Sequence, residues 1–560
     1  MIKIVDTYPD RATYRPNDQA RIQVKLANTA ERLGRATVRA RLMALQDELA
    51  RAEQPVDLEP LASVTAELAL RLPAGDWRGY GVEVELIDAH DQAMAQATTA
   101  LDVASDWTRA PRYGFVADFT PDEDARESEQ RLASLARYHL NALQFYDWMY
   151  RHQLFLPPAT EFIDPLGRRL SLDVVTRKVR LAHEFGMQAL AYVAIYGAAP
   201  DYIAEHPEQG FYCSDGTPYT LGDWLYITNI AHPSWQEQLF SECRRAISSV
   251  GFDGIHLDQY GYVRTGYTRD GSRVDVEAEL PDFLNAARSA VDNAPAVFNA
   301  VGNWPVAAVA RSSVEPLYIE VWPPNDSLRD LREIIVRARD LRHGRAPVLA
   351  AYLSDFLSAD PAAQAGAAHA LRRLTAAIYL NGGSHIMLGE ENGVLRHPYF
   401  PNYYRLTPEQ VRAVRADYDF IARYAEYLFD PAWRDISVTS TGGINEDIRL
   451  DVPRFGPHAE PDSIWTIARM RDHELTLGLI NLCGMASTAW NAPQPAPRQL
   501  RDVRVTLQME RPIQAAYFAS PDCSDGRPIP LQVQQSGRVS TLILRELAYW
   551  GLLIVQFSAG

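Results

Sequence analysis

At 560 residues, 47% hydrophobic and 10% aromatic, the chain is long enough for two or three domains with full apolar cores. Its 55 basic against 71 acidic residues leave a net charge of −16, which argues against nucleic acid or an anionic membrane as partner and suits a neutral substrate such as a sugar polymer. The four cysteines (Cys213, Cys243, Cys483, Cys523) show no CxxC or Cys/His spacing, so neither a disulfide framework nor a metal site is predicted, and Cys243 reads as a buried thiol.

The first hundred residues alternate apolar and polar at period two, in Ala20–Leu26, Thr37–Leu42, Ser63–Leu70 and Gly81–Leu86. Turn signals such as Arg15–Asp18 and Pro73–Asp76 separate them, which predicts an immunoglobulin-like antiparallel β-sandwich over residues 1–106. Ser105–Arg112 reads as a linker. Strand-like runs then begin near Tyr113, Asn141, Met187, Gly254, Ala296, Leu317, Val348 and Ser384. Helical periodicity lies between them in Ser171–Phe185, Ser234–Val250, Ser327–Arg342, Pro361–Leu380 and Thr407–Phe429. Gly186, Gly251 and Gly344 each stand where a helix should end before a strand. Eight such units predict a (β/α)₈ TIM barrel over 107–430. After Asp430–Pro431 the helical pattern stops, and Asp447–Val452, Leu475–Ile480, Val503–Leu507, Thr541–Leu544 and Leu552–Phe557 predict a second antiparallel β-sandwich over 431–560. The N-terminus has no basic, apolar leader and no run is long enough to span a membrane. As written the chain reads as cytoplasmic, and as secreted if a signal has been removed.

Two strands carry the chemistry. Ile255–Leu257 ends on Asp258, and Leu317–Trp322 carries the lone acid Glu320. A carboxylate at the end of a buried strand is costly unless partners or substrate use it. The strands of one parallel barrel open on the same face, where such barrels hold their active sites. Alternation puts His256 with Asp258 on one face, and Tyr318, Glu320 and Trp322 together on the other strand's. Two acids across a barrel mouth with aromatic neighbours point to a glycosidase; taken singly, each acid could equally cap a helix or pair with an arginine. Candidate sugar contacts are Tyr146, Asp147, Trp148 and His152 after strand two, Tyr196 after strand three, Asn299 on strand five, His385 and Glu390 at strand eight, and Asn402 in the aromatic loop Tyr399–Tyr404. His256 and Trp322 join them. Read blandly, Trp148 is a core residue and His385 a packed strand histidine. GxGxxG, P-loop, HExxH and GxSxG motifs are missing, and no cofactor is called for.

Phe145–Trp148, Ile163–Arg168, Gly251–Gly254 leading to Asp258, and Ile319–Trp322, in this order and spacing, resemble glycoside hydrolase family 66, the dextranases and cyclodextran-forming glucanotransferases. The resemblance runs through the whole predicted barrel and adds Asp164 to the candidate substrate contacts. It implies an endo-acting, retaining hydrolase of the α-1,6 linkages of dextran, with Asp258 as nucleophile and Glu320 as acid/base. The two carboxyl groups are then expected about 5–6 Å apart. Glu320 is expected to have a raised pKa, pushed up by Trp322 and by the charge of Asp258. The substrate is an α-1,6-glucan or isomaltooligosaccharide. The resemblance departs in one point, since such dextranases are typically exported. A cyclising glucanotransferase is the nearest alternative, and a non-catalytic glucan-binding protein the next. Cyclising members resemble this fold with a carbohydrate-binding module inserted in the barrel. Here the widest gap between strand starts, Met187 to Gly254, is 254 less 187, or 67 residues, which leaves little room for one.

Overall fold

The computed structural model describes residues 2–442 and 446–558, so the outermost ends of the first and third predicted domains lie outside the described residues. In the N-terminal part, period two does what a half-buried strand requires: Gln19–Asn28 buries Ala20, Ile22, Val24 and Leu26 and turns the residues between them outward. It pairs antiparallel with Ile2–Pro9 and Ser63–Arg71. A second sheet runs in the order Asp47–Leu58, Gly34–Ala44, Arg78–Ile87, Ala93–Val103. The two share one apolar core in which Ile22, Val24 and Leu68 meet Val38, Leu42 and Val82.

The centre of the molecule is a parallel sheet whose strands we number β1 Tyr113–Val116, β2 Ala142–Phe145, β3 Gln188–Ala194, β4 Gly254–Asp258, β5 Ala296–Val301, β6 Leu317–Glu320, β7 Val348–Ala350 and β8 Ser384–His385. Each pairs in parallel with the next. All eight start within a residue of the positions read from the sequence. Helices cover them, and their caps are written in the chain. The helix Leu328–Leu341 opens on a capping box of Ser327 and Asp330 and buries Leu328, Leu331, Ile334, Ile335 and Ala338. It ends before Gly344, which takes φ +85° with Pro431 packed against it. No helix among the described residues is long and apolar enough to cross a membrane.

The sheet curls until its edges nearly meet. β8 runs through Ile386 and Met387 into Leu388–Gly389, which pairs in parallel with β1 at Phe115. A Cβ on Gly389 would lie 2.2 Å from the Phe115 ring, so only glycine lets the strands approach. Glu390 follows, and here the sugar-contact expectation fails. It is fully buried, accepts the backbone N–H of Ala117 and Asp118 at 2.9 and 3.0 Å, and pairs with Lys178. Lys178, on the helix Leu172–Glu184, also reaches Glu123 at 2.8 Å. This charge cluster ties the closing segment to β1 and its helix.

Beyond residue 430 come two further antiparallel sheets, one of them ordered Ile448–Leu450, Leu500–Gln508, Val539–Leu547, Gln534–Ser536. The other contains Ile464–Arg471, Glu474–Asn481, Trp550–Phe557 and Ile513–Ala519. They enclose a core of Ile448, Val505 and Leu542 against Leu477, Phe518 and Val555. Beyond these strands the described residues here include a four-residue helix, Ser437–Ser440, although the sequence pattern led us to expect the helices to stop at 430. All four cysteines are free, and Cys243 is buried as expected, its thiol pushed up to about 12 by burial.

Removing one partner from a buried ionic cluster leaves the other charges uncompensated, at about 3–5 kcal/mol. Lys178→Met, which takes the cation from Glu390 while Glu123 keeps Arg131, is therefore expected to lower the unfolding free energy by that amount, read as a lower urea midpoint; an unchanged midpoint contradicts the assigned tie.

Candidate active site

Register builds the site. β4, β5 and β6 lie side by side, with Leu257 opposite Phe298 and Asn299 opposite Tyr318, so Asp258, Asn299 and Glu320 emerge at the same sheet end. The Asn299 side-chain Nδ2 donates to Asp258 Oδ1 at 2.8 Å and to Glu320 Oε2 at 3.1 Å. Those two oxygens are therefore no further apart than the sum of 2.8 and 3.1 Å, or 5.9 Å. The remaining oxygens are also held: Tyr192 Oη donates to Asp258 Oδ2 at 2.8 Å, and Tyr352 Oη to Glu320 Oε1 at 3.0 Å. Asn299 Oδ1 is buried and has no protein partner among the described residues.

Beneath the acids lies an aromatic layer. Tyr113 Oη and His256 Nδ1 are 2.8 Å apart, and Tyr318 meets the His256 ring edge-on at 4.8 Å. Burial pushes His256 down to about 3, so this layer is uncharged at neutral pH. Above that apolar floor, burial and then the charge of Glu320 push Asp258 up to about 7, against the hydrogen bonds from Tyr192, Asn299 and the Gln259 N–H. Glu320 is raised by burial as well. Trp322 acts in the direction opposite to expectation: its hydrogen bond to Glu320 lowers the pKa, as do those from Asn299 and Tyr352. Two carboxylates so close cannot both ionise cheaply, which pushes in the same direction as burial.

A cavity of about 320 Å³ opens over the pair. Of the residues read from the sequence, Asp258, Glu320, Tyr146, Asp147, His152, Tyr196, Asn299 and Trp322 line it. Tyr146 stacks on Phe400 with centroids 4.5 Å apart. Asp147 is buried in a left-handed turn at φ 47°, and burial pushes it up to about 7 against the nearby Arg168. His152 meets Trp224 edge-on at 6.0 Å, and burial pushes it down to about 4, leaving it neutral. Trp322 is 39% exposed at the rim.

Six candidates do not line the cavity, and three of them, Trp148, Asp164 and His256, brace residues that do. Trp148 is fully buried between Phe155 and Phe252, its indole N–H on the Tyr192 carbonyl at 3.2 Å. Asp164 is buried and grips Arg168 at 2.7 Å, and Arg168 donates to the Asp147 carbonyl at 3.0 Å. His256 lies in the layer below. His385 is fully buried in β8, its Nε2 donating to the Ala351 carbonyl at 3.2 Å. Glu390 closes the sheet. Asn402 accepts from Arg396 within its own loop. Sequence reasoning missed Tyr192, Tyr352, Gln144 and Trp224. Tyr192 was findable as the polar-tipped side chain in the apolar run Ala189–Ala194 of β3. Trp224 sits in an irregular excursion after β3, where no periodicity marks it.

Paired carboxylates, Glu320 buried and Asp258 half-buried, under an aromatic-walled cavity are the equipment of an enzyme that acts on glycosidic bonds. The family model of glycosyl hydrolase family 66 matches residues 9–554, and the chain belongs to that family. Among curated proteins it is 24% identical to a cycloisomaltooligosaccharide glucanotransferase of Niallia circulans, over 98% of this chain and 71% of that protein. It is 22% identical to a dextranase of Streptococcus salivarius, over 90% of this chain and 71% of that one. The crystal structure of a Paenibacillus sp. cycloisomaltooligosaccharide glucanotransferase complexed with cycloisomaltoheptaose has the same fold, with TM-score 0.91, 24% identity, and 99% and 100% of the two chains covered.

A carboxyl group whose folded pKa stands above its unfolded one keeps its proton on folding, so the stability it contributes at low pH is lost as pH rises through the folded value. For Asp258 that is around pH 7, against an ordinary value of 3.8. Asp258→Asn is therefore expected to raise the thermal midpoint relative to wild type at pH 8, with the gain shrinking toward pH 5. An equal difference at both pH values contradicts the assignment.

Proposed function

We propose that the chain is a retaining, endo-acting hydrolase of α-1,6-linked glucans that cleaves dextran to isomaltooligosaccharides, with Asp258 as nucleophile and Glu320 as acid/base. Its setting is a (β/α)₈ barrel over 107–430, between an immunoglobulin-like sandwich over 1–106 and a second sandwich over 431–560. The observation that carries the mechanism is the shared Asn299 amide, which limits the nearest carboxylate oxygens to the sum of 2.8 and 3.1 Å. An inverting pair must stand about 6.5–9.5 Å apart to admit a water, and a retaining pair about 5–5.5 Å. The linkage is supported by the dextranase and glucanotransferase relatives.

In the first step a carboxylate oxygen of Asp258 bonds to the anomeric carbon while the bond to the departing glucosyl oxygen breaks, and Glu320 gives that oxygen its proton. Asp258 is now an ester and has lost its charge, so the repulsion that favoured a protonated Glu320 is gone. Glu320 then takes a proton from water, whose oxygen bonds to the anomeric carbon and releases Asp258. The same pair serves ring closure if a sugar hydroxyl replaces water. That reading is favoured by the two glucanotransferases of Niallia circulans among the relatives, at 24% and 22% identity. Hydrolysis is supported by the dextranase relative and by residues 195–253, between β3 and β4, which are taken up by a three-stranded sheet and the helix Pro233–Arg245 rather than by an added module.

Asp258→Ala and Glu320→Ala are each expected to cut dextran cleavage by at least about a thousandfold without loss of fold. Azide should restore cleavage of activated aryl glucosides in the Glu320 variant, because a good leaving group needs no acid. Chromatography of a glucan panel should give linear products from dextran and longer isomaltooligosaccharides, little from isomaltose, and none from starch or cellulose. Faster cleavage of starch overturns the linkage, and cyclic products alone overturn hydrolysis.

A further inference from the structure

We propose that Trp107, in the segment joining the N-terminal sheets to the central one, is a positioning residue for Asp258 and Glu320, acting through the aromatic layer on which both acids stand. The proposal rests on the roles given to the two acids above.

The contacts run unbroken from that segment to the acids. The Trp107 indole packs on Tyr113, the first residue of β1, with ring centroids 6.1 Å apart and an interplanar angle of 29°. Tyr113 is fully buried and meets the layer twice, its hydroxyl 2.8 Å from His256 Nδ1 and its ring 5.9 Å from that of Tyr318. His256 stands two residues before Asp258 on β4, and Tyr318 two before Glu320 on β6, each on the face that its acid shares. A shift of Tyr113 is therefore felt under both acids.

What lies on the other side of the indole makes its place matter. At the sheet end opposite the acids, a cleft of about 800 Å³ lies between residues 11–18 and the starts of β3 and β5. Its walls include Arg11 and His183, whose side chains are 49% and 41% exposed, so it is open to water. Trp107 lines this cleft and Tyr113 does not, which puts the indole between solvent and the layer. The backbone on both flanks of Trp107 is held. Arg345 Nη1 donates to Asp106 Oδ2 at 3.2 Å and to Thr108 Oγ1 at 3.0 Å, while Asp106 Oδ1 accepts the Thr108 N–H at 2.9 Å. Around that turn, the buried pair of Arg112 and Asp102, at 2.7 Å, ties the strand Ala93–Val103 to the start of β1.

The layer keeps water from beneath the acids, and burial is the largest cause that raises each of them. Without the indole, water from the cleft reaches Tyr113, and both acids fall toward their ordinary values. Asp258 must be ionised to attack and Glu320 protonated to donate, so the acid and alkaline limits of activity both move to lower pH. The other titratable groups around the acids are Tyr146, Asp147, Tyr192, Tyr196, Tyr318 and Tyr352, and none of them is altered in the variants below.

The test is the bell-shaped pH profile of kcat/KM on dextran, with kcat and KM resolved, for wild type, Trp107→Ala, Trp107→Phe and Arg345→Gln. Thermal midpoints report whether each variant is folded. In Trp107→Ala the bell is expected to move about half a pH unit toward acid, with kcat down about tenfold and KM within about twofold of wild type. Trp107→Phe keeps a ring and should restore the wild-type profile. Arg345→Gln, which frees the turn but leaves the indole, should move the bell in the same direction. If Trp107→Ala does not fold, an unshifted bell in Arg345→Gln overturns the role. A folded Trp107→Ala with the wild-type bell overturns it too while leaving the catalytic pair intact, as does a fall in kcat that Trp107→Phe shares. An Asp258→Ala variant that stays active overturns the assigned acids, and the positioning role falls with them.

Discussion

One amide nitrogen holds the site together. Asn299 spends both N–H bonds on Asp258 and Glu320, at 2.8 and 3.1 Å, and so fixes two carboxylates that repel each other at a distance neither would choose alone. Everything around the pair makes that arrangement bearable or useful. The neutral layer of Tyr113, His256 and Tyr318 excludes water from below, which raises both acids. Tyr192 and Tyr352 donate to the outer oxygens, so each carboxylate has a partner on both of its oxygens.

The support extends a further shell outward. Trp148 fixes the backbone of Tyr192, and Asp164 fixes Arg168, which fixes Asp147. Glu390 and Lys178 draw the end of the sheet against its beginning. A cavity assembled from the ends of many strands depends on that closure, because a slip between β1 and Leu388–Gly389 would move Tyr146 against Phe400 and open the wall.

Much of this was legible in the sequence. The eight parallel strands were readable because buried strands are short apolar runs, and the helices between them carry capping boxes and terminal glycines. Asp258 and Glu320 stood out as acids ending such runs. The antiparallel parts were read less completely. Asp47–Leu58 exposes most of its side chains, and Ile464–Arg471 is buried on both faces, so neither alternates cleanly. Among site residues, composition could not separate Tyr146, which lines the cavity, from Trp148 two positions on, which is core; only the turn at Asp147 decides that. Nor could it say that Glu390 is spent on Lys178, since its partner is 212 residues away. Trp322 lines the cavity, but its effect on Glu320 runs against the expectation, because an indole beside a carboxylate reads as apolar in sequence although its hydrogen-bonding contribution lowers the acid's pKa.

The account stands or falls on whether the pair acts with retention. The direct measurement is proton NMR of the reducing ends released from dextran in the first minutes, before mutarotation mixes the anomers. Attack by Asp258 followed by water predicts that the α-anomer appears first and the β-anomer only later. Initial release of the β-anomer contradicts the assignment of Asp258 as nucleophile, and with it the meaning given to the Asn299 bridge.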